Sequence, residues 1–133
     1  MNNHTTGLGN NTPPKRALRY NKDKPMLGLI DAEFELELGK VLTAGAIKYA
    51  KENWRKGLPW TEVVDSMKRH INAFMRGEDI DPETDCHHMA HAACNAMFLV
   101  WYSKYKKEFD NRYKNNKEEI CEMHIQPDNQ SPK

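Results

Sequence analysis

Cysteine is scarce in this chain. Cys86, Cys94 and Cys121 are the three in 133 residues, and no CxxC pair occurs. An odd, sparse set argues against a disulfide-stapled secreted fold and fits a reduced compartment. No apolar run approaches the roughly 20 residues that a bilayer span requires. The opening MNNHTTGLGNNTPP is polar and lacks an apolar h-region, so no signal peptide is expected. Neither sign of charge dominates: 20 Lys and Arg stand against 19 Asp and Glu, a formal net charge of +1. That balance gives no general pull towards nucleic acid polymers or membrane surfaces, and a cytoplasmic protein is expected. Walker, GxSxG and HExxH motifs are missing, which disfavours P-loop and acyl-transfer chemistry. There is no sustained period-two run, no Val/Ile-rich block between turns and no internal repeat. The expected fold class is therefore all-α, a compact helical bundle built from one domain.

The chain divides by composition into three parts. Residues 1–26 read as a mobile leader followed by the basic arm KRALRYNKDKPM, with Lys24 restricted by the proline after it. Residues 27–107 form the helical domain, and residues 108–133 a charged helical extension with a disordered tail. A first helix is expected over 30–53, with Asp31 as N-cap and Glu33, Glu35 and Glu37 near the positive end of its dipole. Its apolar stripe is Phe34, Leu38, Val41, Gly45 and Tyr49. Gly45 on that stripe implies close approach of another backbone or a ligand. The connection NWRKGLPW carries Trp54 and Trp60, which must be buried against the bundle, a base or a partner subunit. A second helix is expected over 61–75, capped by Thr61, with Val63, Val64, Met67, Ile71 and Phe74 inward and His70 at the edge of that face.

Residues 83–104, ETDCHHMAHAACNAMFLVWYSK, form the central segment. At about 100° per residue, Thr84, His88, His91, Asn95 and Tyr102 share one stripe of a helix that is otherwise apolar nearly all round. Such a helix is buried, so its imidazoles and its amide need partners. One reading is a self-satisfied core network of His and Asn. The other is a ligand site fed by the acidic loop GEDIDPE, which holds Glu78, Asp81 and Glu83. A His-x-x-His pair on one helix can place both rings on a metal, and an Mg²⁺ or Mn²⁺ ion would add oxygen ligands from that loop or from the glutamates of the first helix. A structural zinc site with Cys86 or Cys94 fits no standard spacing.

The runs NKDKPMLGLI, ELGKVLTAGAIKYAKENWRKGLPW and DSMKRHINAFMRGEDIDPETDCHHMAHAACNAMFLV resemble the phage dATP/dGTP diphosphohydrolase N-terminal domain. The resemblance covers about residues 19–102, through GA-x-KY-x-x-NW-x-KG, RH, GED-x-D-x-E and H-x-x-HA-x-x-N in that order. It implies a MazG-like, oligomeric helical bundle that uses Mg²⁺ or Mn²⁺ to hydrolyse purine dNTPs to dNMP and pyrophosphate. The chain departs from the wider MazG-like pattern, which places Glu-Glu-x-x-Glu on one helix and Glu-x-x-Asp on the next. Under the resemblance, Glu78, Asp81, Glu83 and His88 hold metal, while Glu78, Glu83 and His91 are catalytic. Lys24, Lys48, Asn53, Trp54, Arg69, His70 and Asn95 bind the nucleotide. The partner is a nucleotide, with a homo-oligomeric dimer or tetramer as the expected assembly. Two alternatives stay open: a binding module that sequesters a signalling or modified nucleotide without turnover, and a purely structural helical oligomer.

Overall fold

The computed structural model describes Gly9 and residues 11–115. Three helices carry the fold: α1 (Ala32–Lys48), α2 (Trp60–Met75) and α3 (His88–Tyr105). Among the described residues, the sole sheet is a short antiparallel pair of strands, β1 (Ile80–Asp81) and β2 (Cys86–His87). The disulfide-free core is small, and no described helix is long and apolar enough to cross a membrane.

Helix α3 is the centre, with α2 packed along it more extensively than α1. Trp60 at the start of α2 clusters with Tyr102 near the end of α3, while His70 late in α2 meets His88 at the start of α3. The two helices are therefore antiparallel. Alanines make the approach possible: Ala90 and Ala92 on α3 and Ala73 on α2 are all buried. Two apolar clusters result. Val41 of α1 packs with Cys86, Ala90 and Cys94, joined by Leu38 and Leu42. Trp60, Val63 and Tyr102 form the other, with Trp54, Trp101 and Phe109 against them. Phe98 touches both clusters and links them.

Several boundaries differ from the sequence expectation. Helix α1 does start after Asp31, whose carboxylate accepts from Phe34 N–H at 2.9 Å. It stops at Lys48 rather than 53, because Glu52 takes a left-handed conformation and Asn53–Lys56 forms a separate 3-10 turn. Of its expected stripe only Val41 is buried; Phe34 and Tyr49 are exposed, and a Cβ at Gly45 would meet nothing within 4 Å. The close approach inferred from Gly45 is thus not made among the described residues. Helix α2 begins at Trp60, one residue before the expected cap, with Pro59 in the capping position and no local side-chain bond. Its free N-terminal donors are met from far away instead. Asn111 Oδ1 accepts from Thr61 N–H at 3.0 Å and its amide donates to Thr61 Oγ1 at 2.8 Å.

That contact depends on the chain after α3 folding back. Helix α3 ends at Tyr105, and among the described residues the extension expected from 108 forms no α-helix; a 3-10 turn (Lys107–Phe109) instead lays Phe109 into the second cluster. The rest of the extension and tail, residues 116–133, lies outside the described residues, as does nearly all of the leader before residue 11. Helix α3 starts at His88, not at 83–84. Residues 82–85 turn between β1 and β2, Asp85 adopts a left-handed φ of 58°, and its N–H donates to Asp81 O at 2.8 Å. Asp is one of the few residues that tolerate that conformation.

Candidate functional site

The strand pair, the last turns of α2 and the first turns of α3 meet at a cluster of three imidazoles. His88 is 4% exposed and is the one buried polar residue among those described. Its Nε2 lies 2.7 Å from Glu78 Oε1, and since a carboxylate only accepts, the imidazole donates there. This fixes the neutral tautomer, leaving the lone pair of His88 on Nδ1. Facing that lone pair, at 2.9 Å, is Nδ1 of His70 from α2, which supplies the proton between the two rings. His91, one turn further along α3, stacks flat on His70, with centroids 4.3 Å apart and planes 3° from parallel. Its Nε2 is 2.7 Å from Thr84 Oγ1 and 3.5 Å from Asp81 Oδ2. Asp81 is itself held from both sides: Glu83 N–H donates to Oδ1 at 3.0 Å, and the Thr84 hydroxyl donates to Oδ2 at 3.4 Å.

Electrostatics keep two of these rings neutral. Burial lowers the pKa of His70 first of all, and the neighbouring His91, His88 and Arg69 push the same way against the opposing pull of Asp81. His91 is also lowered by burial, partly offset by Asp81 and Glu83. Neutral imidazoles are metal ligands and proton acceptors, whereas imidazolium is neither. His70, Asp81 and His88 each present one donor atom, and the three atoms lie within 4.8 Å of one another. Two nitrogens and a carboxylate oxygen suit a divalent cation, so the donor set fits a metal.

The structure brings together His70, Glu78, Asp81, His88 and His91 of the expected site. Thr84 also belongs, though it reaches His91 from the hairpin turn and not from the helix. Glu78, expected among the direct metal ligands, instead contacts the far nitrogen of His88. Glu83 contributes its backbone N–H, while its side chain makes no hydrogen bond or ion pair among the described residues. Asn95 turns its amide to Ser66 Oγ at 3.3 Å, tying α3 to α2.

The other expected contacts lie elsewhere. Trp54 stacks on Phe98 (4.6 Å, 18°), sits edge-on to Trp101 and carries the Arg55 guanidinium over its ring. Its carbonyl accepts from Tyr102 Oη. Trp54 and Trp60 are thus covered by the bundle itself. Asn53 opens the 3-10 turn and is half-buried. Lys48 ends α1 beside the Tyr49 ring, and Arg69 lines a shallow depression on α2 with Asp65, Lys68, Asn72 and Arg76. Lys24 is exposed in the N-terminal segment. The role of His70 as a partner of His88 follows from the antiparallel packing, and the sequence signal for it is its place at the edge of the α2 core face.

Comparison with known proteins supports the family resemblance. A family model described as dATP/dGTP diphosphohydrolase, N-terminal, matches residues 14–112. Over 95 residues, 71% of this chain, the sequence is 37% identical to a Salmonella phage PMBT28 protein named dATP/dGTP diphosphohydrolase. The match covers 32% of that relative, so the chain spans about a third of its length. No solved structure gives a significant match. The matched segment runs from the N-terminal arm through all three helices to the residue that follows Asn111, and the chain belongs to the dATP/dGTP diphosphohydrolase N-terminal family.

Proposed function

We propose that this chain is a metal-dependent nucleotide pyrophosphohydrolase that converts dGTP or dATP to the monophosphate and pyrophosphate. Family membership supports the reaction class, and the convergence of His70, Asp81 and His88 is the observation that carries it. A bound Mg²⁺ or Mn²⁺ would neutralise phosphate charge and acidify a water. In this reading water attacks the α-phosphorus, the bond to the oxygen bridging to the β-phosphorus breaks, and that oxygen leaves with pyrophosphate. His91, whose Nε2–H is held by Thr84 and Asp81, would take the proton from the attacking water on Nδ1. Glu78 keeps His88 oriented. Arg69, whose charge bears on His70, and Lys48, which feels the charge of Glu83, would neutralise the triphosphate, with Lys24 of the N-terminal segment offered beside them.

Assembly belongs to the same proposal. Only Val41 of α1 is buried, while Phe34, Leu36, Ile47 and Tyr49 are 44%, 61%, 83% and 66% exposed. This apolar face of α1 is left uncovered among the described residues, and a dimer or tetramer would complete a MazG-like bundle across it.

The test is incubation with dGTP and dATP in Mg²⁺ or Mn²⁺, with product analysis. Monophosphate and pyrophosphate are expected in equal amounts. His91→Ala should lower turnover by roughly 100-fold, the scale of a lost proton-transfer group. A second reading is favoured by the poverty of carboxylates: Asp81 is the one acid in the donor set. In that reading the pocket sequesters a nucleotide. Release of every offered nucleotide intact after heat denaturation would establish it and overturn hydrolysis.

A further inference from the structure

We infer that the cluster of His70, Asp81 and His88 is built for a later first-row transition-metal dication such as Fe²⁺, Co²⁺ or Zn²⁺, in preference to Mg²⁺, and that Glu78 is its positioning residue. This rests on the metal requirement of the proposed function but names which cation the chain selects.

Donor chemistry comes first. Mg²⁺ takes oxygen ligands and keeps its waters, whereas imidazole nitrogen suits the later first-row dications such as Fe²⁺, Co²⁺ and Zn²⁺. Of the three donor atoms here, two are imidazole nitrogens. Two ligands each roughly 2.0–2.1 Å from one metal, at right angles or wider, stand about 3 Å apart or a little more. The two Nδ1 atoms are 2.9 Å apart, so the rings already hold close to the spacing of a shared cation. A cation taking both Nδ1 lone pairs would stand off the line between them, and the proton now shared by the rings would move to His70 Nε2.

The support behind the ligands is equally specific. A metal-bound imidazole usually donates its other N–H to a carboxylate or carbonyl, which fixes the tautomer and raises ligand basicity. His88 does so to Glu78 Oε1 at 2.7 Å while presenting Nδ1 to His70. Asp81 is oriented by Glu83 N–H and Thr84 Oγ1, and His70 is braced by the parallel ring of His91. Glu78 is 51% exposed and still closes on the buried ring. The remaining coordination positions would be left to water and substrate phosphate.

The experiment uses the tag-free full chain, stripped by a chelator and without nucleotide. Co²⁺ is titrated in and its visible absorption followed; Mg²⁺ is then added in 100-fold excess. One Co²⁺ per chain is expected, resistant to that excess. His70→Ala and His88→Ala should abolish the bands, and Glu78→Gln should weaken binding by about 10–100-fold. Far-UV circular dichroism checks each variant. If loss of the buried His88 unfolds the chain, His70→Ala and Asp81→Asn decide the matter. No Co²⁺ signal in the wild type, unchanged binding in His70→Ala, or displacement by that Mg²⁺ excess would overturn the inference. Hydrolysis supported by Mg²⁺ without such a site would leave the pyrophosphohydrolase reading standing. Tight Co²⁺ binding with no turnover under any metal would do the reverse.

Discussion

Gly57→Ala tests how the C-terminal segment is locked onto the fold. Gly57 sits at φ 104° and ψ 148°, a region that only glycine occupies readily. An added Cβ would stand 2.2, 2.6 and 2.9 Å from three ring carbons of Phe109, well inside the roughly 3.5–4.0 Å of carbon contact. A ring cannot yield as a flexible chain end does, so Phe109 must leave its place. Backbone strain of about 1–3 kcal/mol adds to the lost packing of a half-buried Phe, roughly 1–2 kcal/mol from the usual burial scale. The total expected destabilisation is about 2–5 kcal/mol, with further loss if Asn111 then releases Thr61. Urea unfolding followed by circular dichroism measures it, and the melting temperature should fall by roughly 10 °C or more. Repeating the substitution in a Phe109→Ala background separates the two parts, since only the backbone strain should remain. A cost under about 0.5 kcal/mol, or the same cost in both backgrounds, would refute the packing argument.

Three other outcomes are expected. Asn111→Ala removes the long-range cap of α2 and should lower stability by about 0.5–2 kcal/mol, the usual worth of a cap, whereas no change in the urea midpoint would show the contact to be idle. Burial raises the Cys94 thiol from 9.0 to about 11. Its folded pKa lies above the unfolded one, so stability present below pH 9 should drain away between pH 9 and 11, by roughly 2–3 kcal/mol at most; a Cys94→Ala variant with the same alkaline decline would contradict this. Light scattering at micromolar concentration should show a dimer or tetramer, and Ile47→Lys with Tyr49→Lys should shift it to monomer if α1 is the interface.

What the residues settled by themselves is the type and place of the main helices. Asp31 marks the start of α1 because a carboxylate before an amphipathic run meets free N–H groups locally. The apolar surround of His88 and His91 identifies α3 as the buried element because helical periodicity is a local property. The acidic loop and these histidines were legible as one candidate site for the same reason: they are near neighbours in the chain. Tertiary packing decided the rest. His70 and His88 are 18 residues apart, and only the antiparallel crossing of α2 and α3 sets their Nδ1 atoms face to face. Glu78 was legible as an acid beside the site, but its role as the partner of one particular nitrogen required the hairpin between α2 and α3. That hairpin was missed because strands of two residues leave no periodicity to read. Trp54 lies in the aromatic cluster because Phe98 and Tyr102, more than 40 residues on, supply its partners. The cap of α2 comes from Asn111, 50 residues away. Local sequence fixes which backbone groups will need partners, and the fold alone determines which distant side chains answer them.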